Sequence, residues 1–192
     1  MSAGVQEAIR VMEKAEAEPA PPSLSESLYE AVRAGDEKSV AALLNKAKEA
    51  GRDLNAFEEL EGQTLLMVAA RHGHLPLVKL LLEQGAAVYE RNEAGKTALH
   101  LAAWKGHREV VSCLLESGAD WSTVDRQGRN ALMTAAARGD LGIVKLLLKH
   151  VVKETPWRID KPDENNITAV GHAVREGHAD VCEALVMEGG AD

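Results

Sequence analysis

Aromatic residues are scarce in this 192-residue chain, which has one Phe, two Tyr and three Trp, 3% in all. Its interior must therefore be built from the Ala, Leu and Val within the 45% hydrophobic fraction, which suits a single elongated domain of thin layers. Only two cysteines are present, Cys113 and Cys182, and they fall in different copies of the repeat described below. A disulfide framework is excluded, and buried free thiols are expected. No apolar run approaches the roughly 20 residues needed to span a bilayer. The opening MSAGVQEAIRVMEKAEAEPA has neither the apolar core of a secretion signal nor the acid-free, Arg-rich character of an organelle presequence, so the expected location is the cytoplasm, with the nucleus as the alternative. Lys and Arg number 22 against 30 Asp and Glu, a formal charge of −8 that disfavours a sequence-independent grip on nucleic acid or an anionic membrane. Gly-x-x-x-x-Gly-Lys, Gly-x-Ser-x-Gly and Cys-x-x-Cys are all missing. Among the seven histidines only His72 and His74 lie two apart, with no Cys or carboxylate at ligand spacing around them. No enzymatic activity, cofactor or metal is expected.

What is present is a period. Gly62, Gly95 and Gly128 are 33 residues apart, and so are Gly73, Gly106 and Gly139. The clearest copy runs from Gly95 to Asp120, GKTALHLAAWKGHREVVSCLLESGAD. Thr97 is placed to start a helix by accepting from a first-turn amide. Leu99, Ala102 and Ala103 share one narrow apolar face, and the two alanines let a neighbouring helix come close. Gly106 ends that helix with a positive φ, and His107 opens a second one. Val110, Val111, Leu114 and Leu115 bury the second helix against the first, and Gly118 closes it. One such pair cannot cover its own apolar faces, so stability must come from stacking, and any functional surface is extended.

The other copies vary on this plan. Residues 1–25 stand apart as a tail in which Val5, Ile9 and Met12 outline a short amphipathic helix before the linker Pro19-Ala20-Pro21-Pro22. The first copy retains Gly35-Asp36 and the series Val40, Leu43, Leu44, and Gly35 to Gly73 is 38 residues, five more than the period. Its second helix is predicted to run on to about Gly51. Pro76 sits in a first turn, where its missing amide hydrogen does no harm. In the fourth copy Asn130 replaces the starting Thr, and Asp140 replaces the His after the glycine. Gly139 to Gly177 is again 38 residues, and the second helix is predicted to continue through LKHVVKE and stop before Pro156. Trp157 in that insertion is expected to fold back over the helix ends. Gly171 weakens the first helix of the fifth copy.

The 33-residue period, with Thr97-Ala98-Leu99-His100-Leu101-Ala102 followed by Gly106-His107, resembles the ankyrin repeat. The resemblance covers residues 26–192 in five copies, at about 26–59, 60–92, 93–125, 126–163 and 164–192. It implies an all-α solenoid of helix–turn–helix layers with β-turn or hairpin tips. It also implies that the tips and the ends of the first helices line a concave groove that binds another protein. By matching the motif, the partner-binding residues are Arg71 and His72 of the second copy, with Leu60, Glu61 and Gln63 beside them. In the third copy they are Arg91, Lys96, Trp104 and Lys105, with Glu93. In the fourth they are Arg126, Arg129 and Arg138, with Gln127. Trp104 stands where the second copy has Arg71 and the fifth Arg175, so no packing rule demands an aromatic there. A basic strip on an acidic body suits an acidic or phosphorylated protein segment. The expected function is a monomeric, non-catalytic interaction module or adaptor. Two alternatives stay open: a regulatory or targeting domain of a larger protein, enzymes included, and a self-associating structural protein.

Overall fold

The computed structural model describes residues 23–53, 55, 58–154 and 159–190. Among these are ten α-helices arranged as five antiparallel pairs, in which α1 (Leu24–Ala34) pairs with α2 (Glu37–Glu49) and α3 (Leu65–His72) with α4 (Leu75–Glu83). In the same way α5 (Ala98–Lys105) pairs with α6 (Arg108–Glu116), α7 (Ala131–Arg138) with α8 (Leu141–Glu154), and α9 (Ala169–Glu176) with α10 (Ala179–Met187). The one strand pairing described joins β1 (Glu58–Glu59) to β2 (Gln63–Thr64), antiparallel, with Glu58 opposite Thr64. The expected tail helix around Val5, Ile9 and Met12, and Trp157, lie outside the described residues.

Helix boundaries follow the local chemistry. Ser23 and Glu26 form a reciprocal capping box, so α1 begins at Leu24, two residues before the expected start of the array. Thr64 Oγ1 accepts from Met67 N at 3.3 Å, Asn130 Oδ1 from Met133 N at 2.9 Å, and Asp140 Oδ1 from Ile143 N at 3.1 Å. The first helix of every layer ends on a left-handed glycine, at Gly35, Gly73, Gly106, Gly139 and Gly177. The two 38-residue intervals lengthen α2 and α8 as the sequence predicts, with α2 stopping at Glu49 and Gly51 taking a φ of 67°. Gly171 sits inside an intact helix, where a Cβ would approach Cγ2 of Ile167 to 2.9 Å.

Every first helix packs against the first helix of the next layer more closely than the second helices pack against one another. The reason is composition: Ala69, Ala70, Ala102, Ala103, Ala135, Ala136 and Ala173 are fully buried on the first helices, whereas the second helices present Leu77, Leu81, Leu114, Ile143, Leu147 and Leu185. Closer approach on one side bends the stack, and the concave side is the one carrying the first helices and the tips. The layers share one continuous apolar core from Leu28 to Leu185. Both cysteines are free but only half-buried, less enclosed than expected, because each lies on a flank of its helix beside the core. Among the described residues, no helix is long and apolar enough to cross a membrane.

Candidate functional site

The tips that edge the groove are held by backbone groups. Glu93 N donates to Glu61 O, Arg126 N to Ala94 O and Glu164 N to Gln127 O, at 2.9–3.0 Å, so each tip hangs on the one before it. Within each of the last three tips one buried side-chain oxygen organises the turn. Asn92 Oδ1 accepts from Ala94 N and Lys96 N, Asp125 Oδ1 from Gln127 N and Arg129 N, and Asp163 Oδ1 from Asn165 N and Ile167 N. Residues beside these oxygens differ from copy to copy.

A second set of bonds joins the ends of the first helices across layers. His74 Nε2–H donates to Arg33 O and His107 Nε2–H to Arg71 O, both at 3.1 Å. In each case the acceptor is the carbonyl two residues before the glycine, one of those an α-helix leaves without an internal donor. The imidazole lies flat over that glycine, so that a Cβ on Gly73 would sit 2.5 Å from His107 Nδ1. In the fourth layer Asp140 stands where the histidine would be, and Arg138 takes over the bond, its Nη1 donating to Trp104 O at 2.7 Å.

The predicted partner-binding residues therefore sort into four groups. Lys96, Trp104 and Lys105 come together: Trp104 is 50% exposed, with the Lys105 ammonium 4.5 Å and the Lys96 ammonium 5.8 Å from its ring. Arg71 and His72 gather around a depression that also includes Arg33 and Gln63. The His72 ring stacks on that of His74 at 5.9 Å with a 9° interplanar angle. Arg91 and Arg138 use their guanidinium groups within the fold, Arg91 donating to Gly95 O at 3.1 Å and to Val124 O at 2.6 Å. Arg126 is exposed, and Arg129 is half-buried with its Nε–H unpartnered.

Sequence reasoning passed over Arg33, although it lies two residues before Gly35 just as Arg71 and Trp104 precede Gly73 and Gly106. It also gave His172 no role. The structure buries His172 and sets its Nε2 3.0 Å from Oδ2 of Asp163 in the tip of the same layer. Burial alone would raise the Asp163 pKa, but the Ile167 amide, His172 and the Asn165 amide outweigh it and hold the carboxyl below its ordinary value. No group of three or more His, Cys, Asp or Glu among the described residues is placed to hold a metal.

Stacked helix pairs with backbone-linked tips and a variable inner lining define a solenoid repeat protein. The family model for ankyrin repeats (3 copies) matches residues 28–125 and again 118–192, and the chain belongs to the ankyrin repeat family. A stretch of 64 residues is 41% identical to Protein fem-1 homolog A of Danio rerio and covers 33% of this chain but 10% of that relative. Ankyrin repeats are generally protein–protein interaction modules.

Proposed function

We propose that this chain is a non-catalytic interaction module or adaptor whose concave face binds an acidic or phosphorylated segment of another protein, and that it works as a cytoplasmic or nuclear monomer. The observation that carries the reading is Trp104, half exposed at the end of an inner helix and flanked by the Lys96 and Lys105 ammonium groups. A large ring held between two cations offers apolar area to a partner and attraction to its carboxylates or phosphates, and aromatic and arginine side chains dominate interface energies. The excess of negative charge elsewhere on the chain disfavours nucleic acid as the ligand.

The test is capture of binding proteins from extract with the wild-type chain beside a Trp104→Ala, Arg129→Glu double variant. Loss of a discrete set of proteins from the variant, with its melting transition retained, supports the reading. Equal retrieval by both chains rejects this surface. A second reading, a regulatory or targeting ankyrin domain of a larger protein, draws support from the 10% share of fem-1 homolog A that the matched stretch occupies. A full-length transcript reading on past Asp192 favours it.

A further inference from the structure

The depression between the first two layers has a chemistry of its own. It measures about 270 Å³ and is lined by Arg33 of α1, Gln63 of β2, and Val68, Arg71 and His72 of α3. Two arginines and a histidine line it, and none of the lining residues among those described is acidic. Gln63 is 6% exposed and its Oε1 has no hydrogen-bond partner, a vacancy a fold seldom tolerates without a use for it. Burial first, and then the positive charges of His74, Arg71, Arg33 and Lys105, push the His72 pKa below its ordinary value. Those charges reach His72 from α1, from the start of α4 and from the end of α5, so the cationic character belongs to the place and not to one helix.

We infer that this depression is an anion site that takes a carboxylate or phosphate carried on a side chain of the bound segment. The inference rests on the proposed groove reading and extends it to a second anchor. Arg33 and Arg71 hold the anionic oxygens, a task that suits the planar fork of a guanidinium. Gln63, whose terminal torsion turns softly, offers its unpaired oxygen to the backbone N–H next to that side chain. The spacing of the two anchors follows from the layers. Packed helices lie about 8–10 Å apart, and an extended chain advances about 3.3 Å per residue. The depression lies between the first two layers, about one and a half layer spacings from Trp104, so the anionic residue sits about four positions from the one that covers Trp104.

The experiment uses the full chain with two probes, inorganic phosphate and N-acetylglutamate N-methylamide, each titrated while the His72 ring resonances are followed by NMR. Saturable shifts are expected with at least one probe, together with a rise in the His72 titration midpoint, because a neighbouring anion favours the imidazolium. Arg71→Gln and Arg33→Gln should each weaken binding about tenfold. Gln63→Leu should weaken the amide probe more than phosphate, which has no N–H to place against that oxygen. Tighter phosphate binding identifies a phosphorylated residue as the natural occupant, and tighter binding of the amide probe identifies an acidic one. The inference is overturned if His72 ignores both probes, or if Arg71→Gln binds as well as wild type. Trp104→Ala should leave both affinities unchanged, so a silent depression beside Trp104-dependent capture rejects the anion site and leaves the groove reading intact.

Discussion

The junction between the second and third layers and the junction between the third and fourth solve one problem with different residues. Each must supply a donor to the carbonyl two residues before a left-handed glycine. The first uses His107, a flat ring seated on Gly73 and bonded to Arg71 O. The second has Asp140 in the place of that histidine and reaches Trp104 O with the Arg138 guanidinium from the end of the neighbouring helix. A rigid ring has been exchanged for a flexible arm, and a cation has been drawn into the scaffold at the edge of the groove. The lesson is that a basic residue at a groove position is not thereby free for a partner.

The glycines give the sharpest test of this comparison. Both have positive φ, 75° at Gly73 and 82° at Gly106, so an alanine is strained at either. At Gly73 the new methyl also strikes the His107 ring, whereas at Gly106 it meets Arg138 at 3.0 Å, and a long side chain can move. Gly73→Ala should cost about 2–4 kcal/mol in chemical denaturation and Gly106→Ala about 1–2 kcal/mol. Equal costs would mean that the two junctions are equally rigid.

The clamps come next in size. His107→Ala and Arg138→Ala should each lose about 1 kcal/mol by removing a donor from a helix-end carbonyl. Adding Asp140→His to Arg138→Ala should restore most of that stability, less whatever is lost with the bond from Asp140 to Ile143 N. A failed rescue, measured by the same denaturation, would show that the two devices are not interchangeable.

Acid should separate the junctions further. His100 is buried, accepts from Thr97 Oγ1 at Nδ1 (2.9 Å) and donates from Nε2 to Arg129 O (3.1 Å), bridging the third and fourth layers as a neutral ring. Burial holds its pKa below the ordinary 6.5, so its contribution is fully present above that value and falls away as pH drops through 6.5 toward the folded-state pKa. The second layer has Met67 at the matching position. Amide protection factors should therefore fall more at the later junction than at the earlier one as pH drops below 6.5. His100→Met should remove that difference.

The smallest effect on stability belongs to Trp104→Ala. A half-exposed ring resting between two lysines should change it by less than about 1 kcal/mol while partner capture is lost. A larger cost, read from the denaturation midpoint, would move Trp104 from the binding surface to the scaffold.

The sequence spoke plainly wherever the physics is local. The glycine stops of the first helices, the Thr97 and Asn130 helix starts and the extended α2 and α8 all follow from residues within one or two turns of each other. It was silent where partners lie a full repeat apart. Nothing near Arg138 indicates that its guanidinium will meet a carbonyl 34 positions earlier, or that Arg91 will reach Val124 O across 33. Arg33 was hidden because its layer lacks the Thr-x-Leu-His start, although its place before Gly35 was a usable signal. The His172–Asp163 bond spans only nine residues. It escaped notice because His172 stands one position beyond the histidine of the third layer, where Leu101 and Thr134 occur in other copies.

The tips, each linked to the next by a main-chain bond, set the terms on which such a molecule changes over generations. A substitution at Glu93, Arg126 or Glu164 leaves the amide that carries the link untouched, so new side chains arrive on a frame already in register. Recognition can drift from one ligand to another while the architecture stays still, and the two properties are written in separate parts of each residue.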